Sequence, residues 1–279
     1  MAEGRTILVL GGGGMKGLAH VGAWRALQEQ GVQVAEIVGT SIGALVGACV
    51  SGGMEADRLS GLARALQKTD IIMLNRWALL FNGIRQPSVF RGDVFRTYVQ
   101  SVLPVSSFDA LTLPLSINAV DLETGEEVWF GAGGRSDATL ADAIYASCAL
   151  PVFYEPAEIA GRHYVDGGIT DTLPIARAAA RGADRIIAVD VAAGRMPTSD
   201  DVVSKGMVAI HQRVMQIMGY ARRTAALASW SGPELVYVRP ELEGYDTWDF
   251  NSTDYFLEAG YQATLKALSG DVPVRERAG

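Results

Sequence analysis

Three features of the sequence predict a single-domain α/β protein. Short apolar segments rich in β-branched residues alternate with segments of helical periodicity along most of the chain. A glycine-rich loop joins the first apolar segment to the first helical one, as in a strand–loop–helix unit. Hydrophobic residues make up 49% of the 279 positions, enough for one large core or two small ones, and no linker divides the chain.

The apolar segments give the expected strands in chain order. They lie near Ile7, Ile37, Leu115 to Val120, Val128 to Phe130, His163 to Val165, Ile186 to Val191 and Leu235 to Val238. The domain is expected to span residues 1–270. Residues 271–279 are polar and contain Pro273, so we expect a frayed tail there.

The loop after the first strand is the first candidate site. It contains Gly11 to Gly14, then Met15, Lys16 and Gly17, and it leads into a helix that carries Leu18, Val21, Ala23, Trp24 and Leu27. Such a loop aims unpaired N–H groups at one point, and the following helix adds partial positive charge. Both favour a bound or developing anion, which is either a nucleotide pyrophosphate or the oxyanion of an acyl-transfer reaction.

The nucleotide alternative rests on the spacing Gly12-x-Gly14-x-x-Gly17, with Glu36 near the position of a ribose-binding acid. Against it, Glu36 opens the second predicted strand instead of closing it, and that strand ends at a serine. A phosphate-binding P-loop is excluded because Gly17 follows Lys16, where Ser or Thr is required.

Ser41 is the candidate nucleophile. It lies in Gly39-Thr40-Ser41-Ile42-Gly43, between a short buried strand and an apolar helix of small residues. A nucleophile elbow needs small residues two positions to either side, because larger side chains would clash with the neighbouring backbone. The alternative is a serine that only caps the helix.

The candidate base is a carboxylate. His20, His163 and His211 are expected to be structural or surface residues, because none stands on a turn that would place it in a cleft. Asp166 ends a short strand and is followed by Gly167 and Gly168, which permit a tight bend and the close approach of another backbone. The alternative is an ordinary turn aspartate.

Four motifs in this order resemble the patatin-like phospholipase family, particularly its compact microbial members, over about residues 5–192. They are Gly12 to Gly17, Gly39 to Gly43, Ala146 to Pro151, and Asp166 to Gly168. The resemblance implies a three-layer α/β/α sandwich with a mostly parallel sheet, and a lipid acyl hydrolase with a Ser41–Asp166 dyad. Gly12, Gly13 and Gly14 would form the oxyanion hole, and Lys16 stands where the family has Arg or Lys. The implied partner is a lipid or membrane-surface ester.

Composition limits the other function classes. A net charge of −7 and a pI near 5.1 argue against bulk attraction to nucleic acid or to an anionic bilayer, although local patches remain open. We expect no signal peptide, membrane span, metal or cofactor. Cys49 and Cys148 are expected to be reduced core residues, and the cytoplasm is the expected location.

Two apolar segments and one acid complete the expectations. Residues 71–81 are expected to form a buried connection, with a lip over the serine or a membrane contact as the alternative. A helical stripe is expected to lie in the core; its members are Met207, Ile210, Val214, Ile217 and Met218. Asp190 is expected to be a capping or ion-paired carboxylate.

Overall fold

The computed structural model describes residues 4–76, 80, 85–192 and 201–270. Within them, eight strands form one sheet in the order β5-β6-β3-β2-β1-β7-β8, and β4 pairs with β3. The strands are β1 Thr6–Leu10, β2 Glu36–Gly39, β3 Leu115–Asp121, β4 Glu127–Gly131, β5 Ala157–Ile159, β6 Arg162–Asp166, β7 Arg185–Val189 and β8 Glu234–Val238. All seven predicted strands are present, and three-residue β5 was too short to predict.

The helices of the described residues lie between these strands, except that the last helix follows β8. They are α1 Ala19–Glu29, α2 Ile42–Ser51, α3 Ala56–Ala65, α4 Lys68–Ile71, α5 Gly92–Val102, α6 Leu140–Cys148, α7 Ile175–Ala180, α8 Met207–Ala228 and α9 Thr253–Leu268. Short 3-10 turns cover Gly14–Leu18, Phe108–Ala110 and Gly167–Ile169. No helix in the described part of the chain is long and apolar enough to cross a membrane.

The sheet is covered on both faces, as the predicted three-layer α/β/α fold requires. Successive residues of β1 point to opposite faces, so Leu8 and Leu10 belong to one hydrophobic core while Ile7 and Val9 belong to a second. Helix α7 covers the second core, and most other helices cover the first. The five strands from β3 to β8 in the sheet order pair in parallel, which explains the mostly apolar sequences of β1, β7 and β8.

Strand β3 brings the ends of two other strands together. Its first half pairs in parallel with β2, so that Gly39 lies opposite Ile117. Its second half pairs antiparallel with β6, so that Asp166 lies opposite Ala119. Because β4 occupies the other edge of β3 at both places, β2 and β6 meet end to end along one edge. The residues that follow β2 therefore lie beside Asp166.

The predictions for the two apolar segments were wrong. The stripe on α8 is exposed, from 40% at Ile210 and Met218 to 75% at Met207. In the first segment Ile71 is buried, but Met73, Leu74 and Leu80 are exposed. Residues 77–79 and 81 of this segment lie outside the described residues, as does the predicted tail 271–279. Both cysteines are buried free thiols, as expected.

The packing of α1 against α9 gives a test of the fold. A Cβ at Gly22 would strike the Leu257 carbonyl, and one at Gly260 would strike the Ala19 carbonyl. Since backbone cannot move aside as a side chain can, we expect Gly22→Ala to lower the free energy of unfolding by about 1–3 kcal/mol. Gly61→Ala is the control: open space surrounds that α3 position, so the change should stabilise by about 0.5–1 kcal/mol. Urea unfolding measures both, and equal effects would contradict the described helix contact.

Candidate active site

Ser41 stands between β2 and α2 in a strained conformation. Its φ of 54° and ψ of −124° lie in a region that L-residues rarely adopt. Its N–H donates to the Ser147 Oγ at 2.8 Å, and Ser147 on α6 is fully buried. At Gly43, the Leu10 carbonyl leaves no room for a Cβ. The geometry is that of a sharp strand-to-helix turn with the hydroxyl exposed at its apex.

Asp166 lies within hydrogen-bond distance of this hydroxyl. The Ser41 Oγ donates to Oδ2 at 2.8 Å, and the Gly168 N–H donates to Oδ1 at 2.7 Å. Burial raises the pKa of Asp166 to about 6, although both hydrogen bonds oppose the shift. The group is therefore ionised at neutral pH, yet it binds a proton more strongly than an exposed aspartate does.

The glycine loop faces the same point. The Gly12 N–H already donates to the Thr172 carbonyl at 2.9 Å, and the Met15 N–H donates to Thr247. The N–H groups of Gly13 and Gly14, by contrast, have no acceptor within the part of the chain that the structure describes. Gly14 has a φ of +60°, and a Cβ there would collide with Thr247. Two donors of the predicted three are thus left for an anion.

The three histidines occupy different surroundings. His20 Nε2 donates to the Gly11 carbonyl at 2.8 Å, and complete burial lowers its pKa to about 4, so this neutral ring supports the glycine loop. His163 is exposed beside Glu123. The expectation that no histidine faces a cleft was wrong for His211, which lines the cavity that contains Ser41. Among the described contacts, His211 bonds to neither Ser41 nor Asp166.

The cavity has a volume of about 260 Å³. Ser41, Asp166 and the glycines at positions 12–14 lie in its wall. Its apolar lining includes Ile71, Phe95, Leu150, Phe153, Leu242 and Trp248. Lys16 and Arg223 supply polar groups; burial lowers the pKa of Lys16, while the nearby Asp190 opposes this shift. Such a wall suits an apolar chain with a polar end.

Two charged residues of the sequence analysis have structural partners. Asp190 accepts from Arg223 at 2.8 Å and from the Tyr237 hydroxyl at 2.7 Å, which confirms the expected ion pair. Glu36 is completely buried between Arg5 and Arg181, at 2.6 and 2.7 Å. A ribose cannot reach this carboxylate, so the dinucleotide alternative loses its ribose-binding acid and keeps only the glycine spacing. Among the described residues, no group of three His, Cys, Asp or Glu side chains could hold a metal ion.

Ser147 and the segment around Trp248 are site residues that the sequence analysis missed. Ser147 was noted only as part of a motif, although a serine among apolar helix residues signals a buried hydrogen bond. Thr247 and Trp248 lie in a stretch without periodicity, so only the fold brings them to the glycine loop.

The sequence as a whole is similar to one known family. A sequence model described as patatin-like phospholipase matches residues 8–179, more than half of the chain. The chain belongs to the patatin-like phospholipase family. This is the family that the four sequence motifs predicted.

Its relatives are longer proteins. An uncharacterized NTE family protein of Mycobacterium tuberculosis is 35% identical over 67% of this chain and 49% of its own length. Human patatin-like phospholipase domain-containing protein 6 is 28% identical over 96% of this chain and 20% of its own length. Lysophospholipase NTE1 of Scheffersomyces stipitis is 29% identical over 94% of this chain and 18% of its own length. The chain spans about half the length of the first relative and about a fifth of the others.

A solved structure supports the fold. VipD from Legionella pneumophila superimposes with a TM-score of 0.51 at 16% identity, over 96% of this chain and 67% of that protein. At this identity the likeness shows the shared α/β architecture alone.

The strain at Ser41 predicts an unusual order of stability. Ser41→Ala and Ser41→Gly both remove the hydroxyl, but only glycine relieves a φ of 54°. Elsewhere alanine is more stable than glycine by about 0.5–1 kcal/mol; at position 41 we expect glycine to be more stable by about 1 kcal/mol. Chemical denaturation of the two variants measures the difference. A more stable alanine variant would show that this backbone is unstrained.

Proposed function

We propose that this chain is a serine hydrolase that cleaves carboxylic esters of phospholipids, lysophospholipids or related lipids through Ser41 and Asp166. The observation that carries the proposal is the 2.8 Å hydrogen bond from the Ser41 Oγ to the Asp166 Oδ2, inside a largely apolar cavity. Both groups have the positions that direct proton transfer requires, without an intervening histidine.

In the acylation step, the Ser41 Oγ attacks the ester carbonyl carbon while Asp166 takes its proton. The carbonyl oxygen becomes an oxyanion, which accepts hydrogen bonds from the N–H groups of Gly13 and Gly14. As the intermediate collapses, the C–O bond to the alcohol breaks, and Asp166 returns the proton to the departing oxygen. An acyl group then remains on Ser41.

Water completes the cycle. It attacks the acyl carbon while Asp166 accepts one of its protons, and collapse of the second intermediate expels the Ser41 oxygen, which regains that proton. The products are a carboxylic acid and an alcohol. Removing one oxyanion donor typically costs about 10²–10³ in rate, so much of the acceleration is assigned to the glycine loop.

Burial is what makes an aspartate adequate as the base. An exposed carboxylate with a pKa near 3.9 binds the serine proton weakly. The pKa of about 6 at Asp166 strengthens that binding while leaving the group ionised at pH 7. The Gly168 N–H holds the carboxylate so that Oδ2 faces Ser41.

The apolar wall of the cavity is assigned to the acyl chain, and Lys16 and Arg223 to the polar end of the substrate. Because such esters reside in bilayers, the proposal includes peripheral contact with a membrane. It also includes a cytoplasmic location, which the two buried free thiols support.

The dyad is tested by comparing matched variants on a soluble short-chain ester. Ser41→Ala should abolish turnover and labelling by an active-site phosphonate, because the nucleophile is gone. Asp166→Asn should cost nearly as much, since an amide keeps the shape but cannot accept the serine proton. His211→Gln should keep most of the turnover, because His211 bonds to neither group. Single-turnover rates of folded variants measure all three.

A different order would contradict the dyad. Loss of several powers of ten in His211→Gln, with stability retained, would make that cavity histidine the base and Asp166 its orienting partner. Intact lipid binding without phosphonate labelling in the unmodified chain would identify a lipid-binding module instead of an enzyme.

The pKa of Asp166 predicts the pH dependence. Only the ionised form accepts the proton, so kcat/KM should fall on the acid side of a midpoint near pH 6, about tenfold per pH unit well below it. Burial raises the pKa of Asp171 to about 6 as well, but that carboxylate accepts the Leu173 N–H and not the serine. Asp171→Asn is therefore the control and should leave the midpoint in place. A midpoint below about 4.5, or one that moves in the control, would contradict the assignment.

A further inference from the structure

Helix α8 is a long helix that buries very little of itself. Of its 22 residues, all within the described part of the chain, Arg223 alone is buried. A surface helix normally packs its apolar face on the core. Here the apolar face is turned outward instead, as five exposed side chains that we call the outer stripe: Met207, Ile210, Val214, Ile217 and Met218.

The opposite side of the same helix forms part of the cavity wall. The cavity-lining residues of α8 are His211, Gln212, Met215, Gln216, Gly219, Tyr220 and Arg223. Each residue of an α-helix is rotated by about 100° around the helix axis. Viewed down this axis, the mean direction of the cavity-lining side chains lies roughly 160° from that of the outer stripe. The helix therefore separates the cavity from whatever covers the outer stripe.

The charges of this segment are all of one sign. Residues 202–233 contain Lys205, Arg213, Arg222 and Arg223 but no Asp or Glu, in a chain whose net charge is −7. Arg223 faces inward and pairs with Asp190. Arg213 and Arg222 lie about 90° to either side of the outer stripe, and the exposed Arg222 also donates to the Ile169 carbonyl. An apolar stripe flanked by arginines is the pattern of a helix that lies in a lipid–water interface, where long cationic side chains reach the headgroups.

We propose that the outer stripe of α8 docks on a lipid bilayer that carries anionic headgroups. This inference rests on the proposed function in one respect, namely that the substrate is a membrane ester. The stripe enters the acyl-chain boundary, and the positive charge of residues 202–233 faces the anionic headgroups. One helix diameter, about 10 Å, then separates the bilayer surface from the cavity that contains Ser41.

A second copy of the chain fits the outer stripe less well than lipid does. In a two-fold contact the same patch is present on both sides, so residues 202–233 would face themselves. Cations would then meet cations with no acid from this segment between them, and such juxtaposition is costly. An anionic bilayer supplies the complementary charge.

Vesicle binding by the full chain tests the proposal. The protein carries Ser41→Ala so that no lipid is cleaved, and the probes are vesicles of phosphatidylcholine alone or with about 30% phosphatidylserine. We expect binding to the mixed vesicles, weaker binding to phosphatidylcholine alone, and weaker binding at higher salt. Ile217→Gln should lower the partition coefficient about fivefold, and the triple variant Ile210→Gln, Val214→Gln, Ile217→Gln about a hundredfold.

Leu122→Gln is the matched control, because Leu122 is 54% exposed and Ile217 49%, on different parts of the surface. It should not change the partition coefficient. Equal losses in the two single variants, or undiminished binding by the triple variant, would overturn the proposal. So would a wild-type dimer that the triple variant dissociates and that binds no vesicles.

Activity separates this inference from the proposed function. With Ser41 restored, the triple variant should hydrolyse a soluble short-chain ester at the wild-type rate but lose activity on vesicles. Vesicle binding without any ester hydrolysis would leave the docking surface standing and overturn the proposed reaction. Equal activity of wild type and triple variant on vesicles would overturn the docking surface alone.

Discussion

The candidate site depends on a single arrangement in the sheet: β2 and β6 end against each other along the same edge of β3. The register of β3 places Gly39 opposite Ile117 and Asp166 opposite Ala119. The separation between the serine turn and the aspartate is thereby set by main-chain hydrogen bonds in the most buried part of the protein. Those bonds rigidly position two side chains that lie 125 positions apart in sequence.

The site concentrates features that cost stability. Ser41 holds an unfavourable backbone conformation, and Asp166 is a carboxylate withdrawn from water. Cores on both faces of the sheet offset these costs, and the Ser147 hydroxyl and Gly168 N–H hold the two residues in place. The site therefore departs from the usual backbone and burial preferences of serine and aspartate, and the stability of the surrounding structure makes this departure possible.

The sequence was most informative where local pattern and tertiary role coincide. The strands, the serine turn and the motif order follow from periodicity, glycine spacing and family resemblance, because each is encoded within a few residues. The α8 stripe could not be placed, because periodicity shows that Ile210 and Val214 share a face but not what covers it. Likewise, only tertiary structure shows that the Thr172 carbonyl accepts a hydrogen bond from the Gly12 N–H, or that the Ser147 hydroxyl accepts one from the Ser41 N–H.

The anchoring of α8 has a mechanical consequence. Its sole buried residue, Arg223, stands near its C-terminal end and is tied to Asp190 just after β7. Near the other end of the helix, Val208 packs against the first hydrophobic core. Side-chain contacts thus hold this wall of the cavity, whereas strand pairing positions the reacting groups. Changes in α8 can therefore alter the fit of an acyl chain without altering the distance between Ser41 and Asp166.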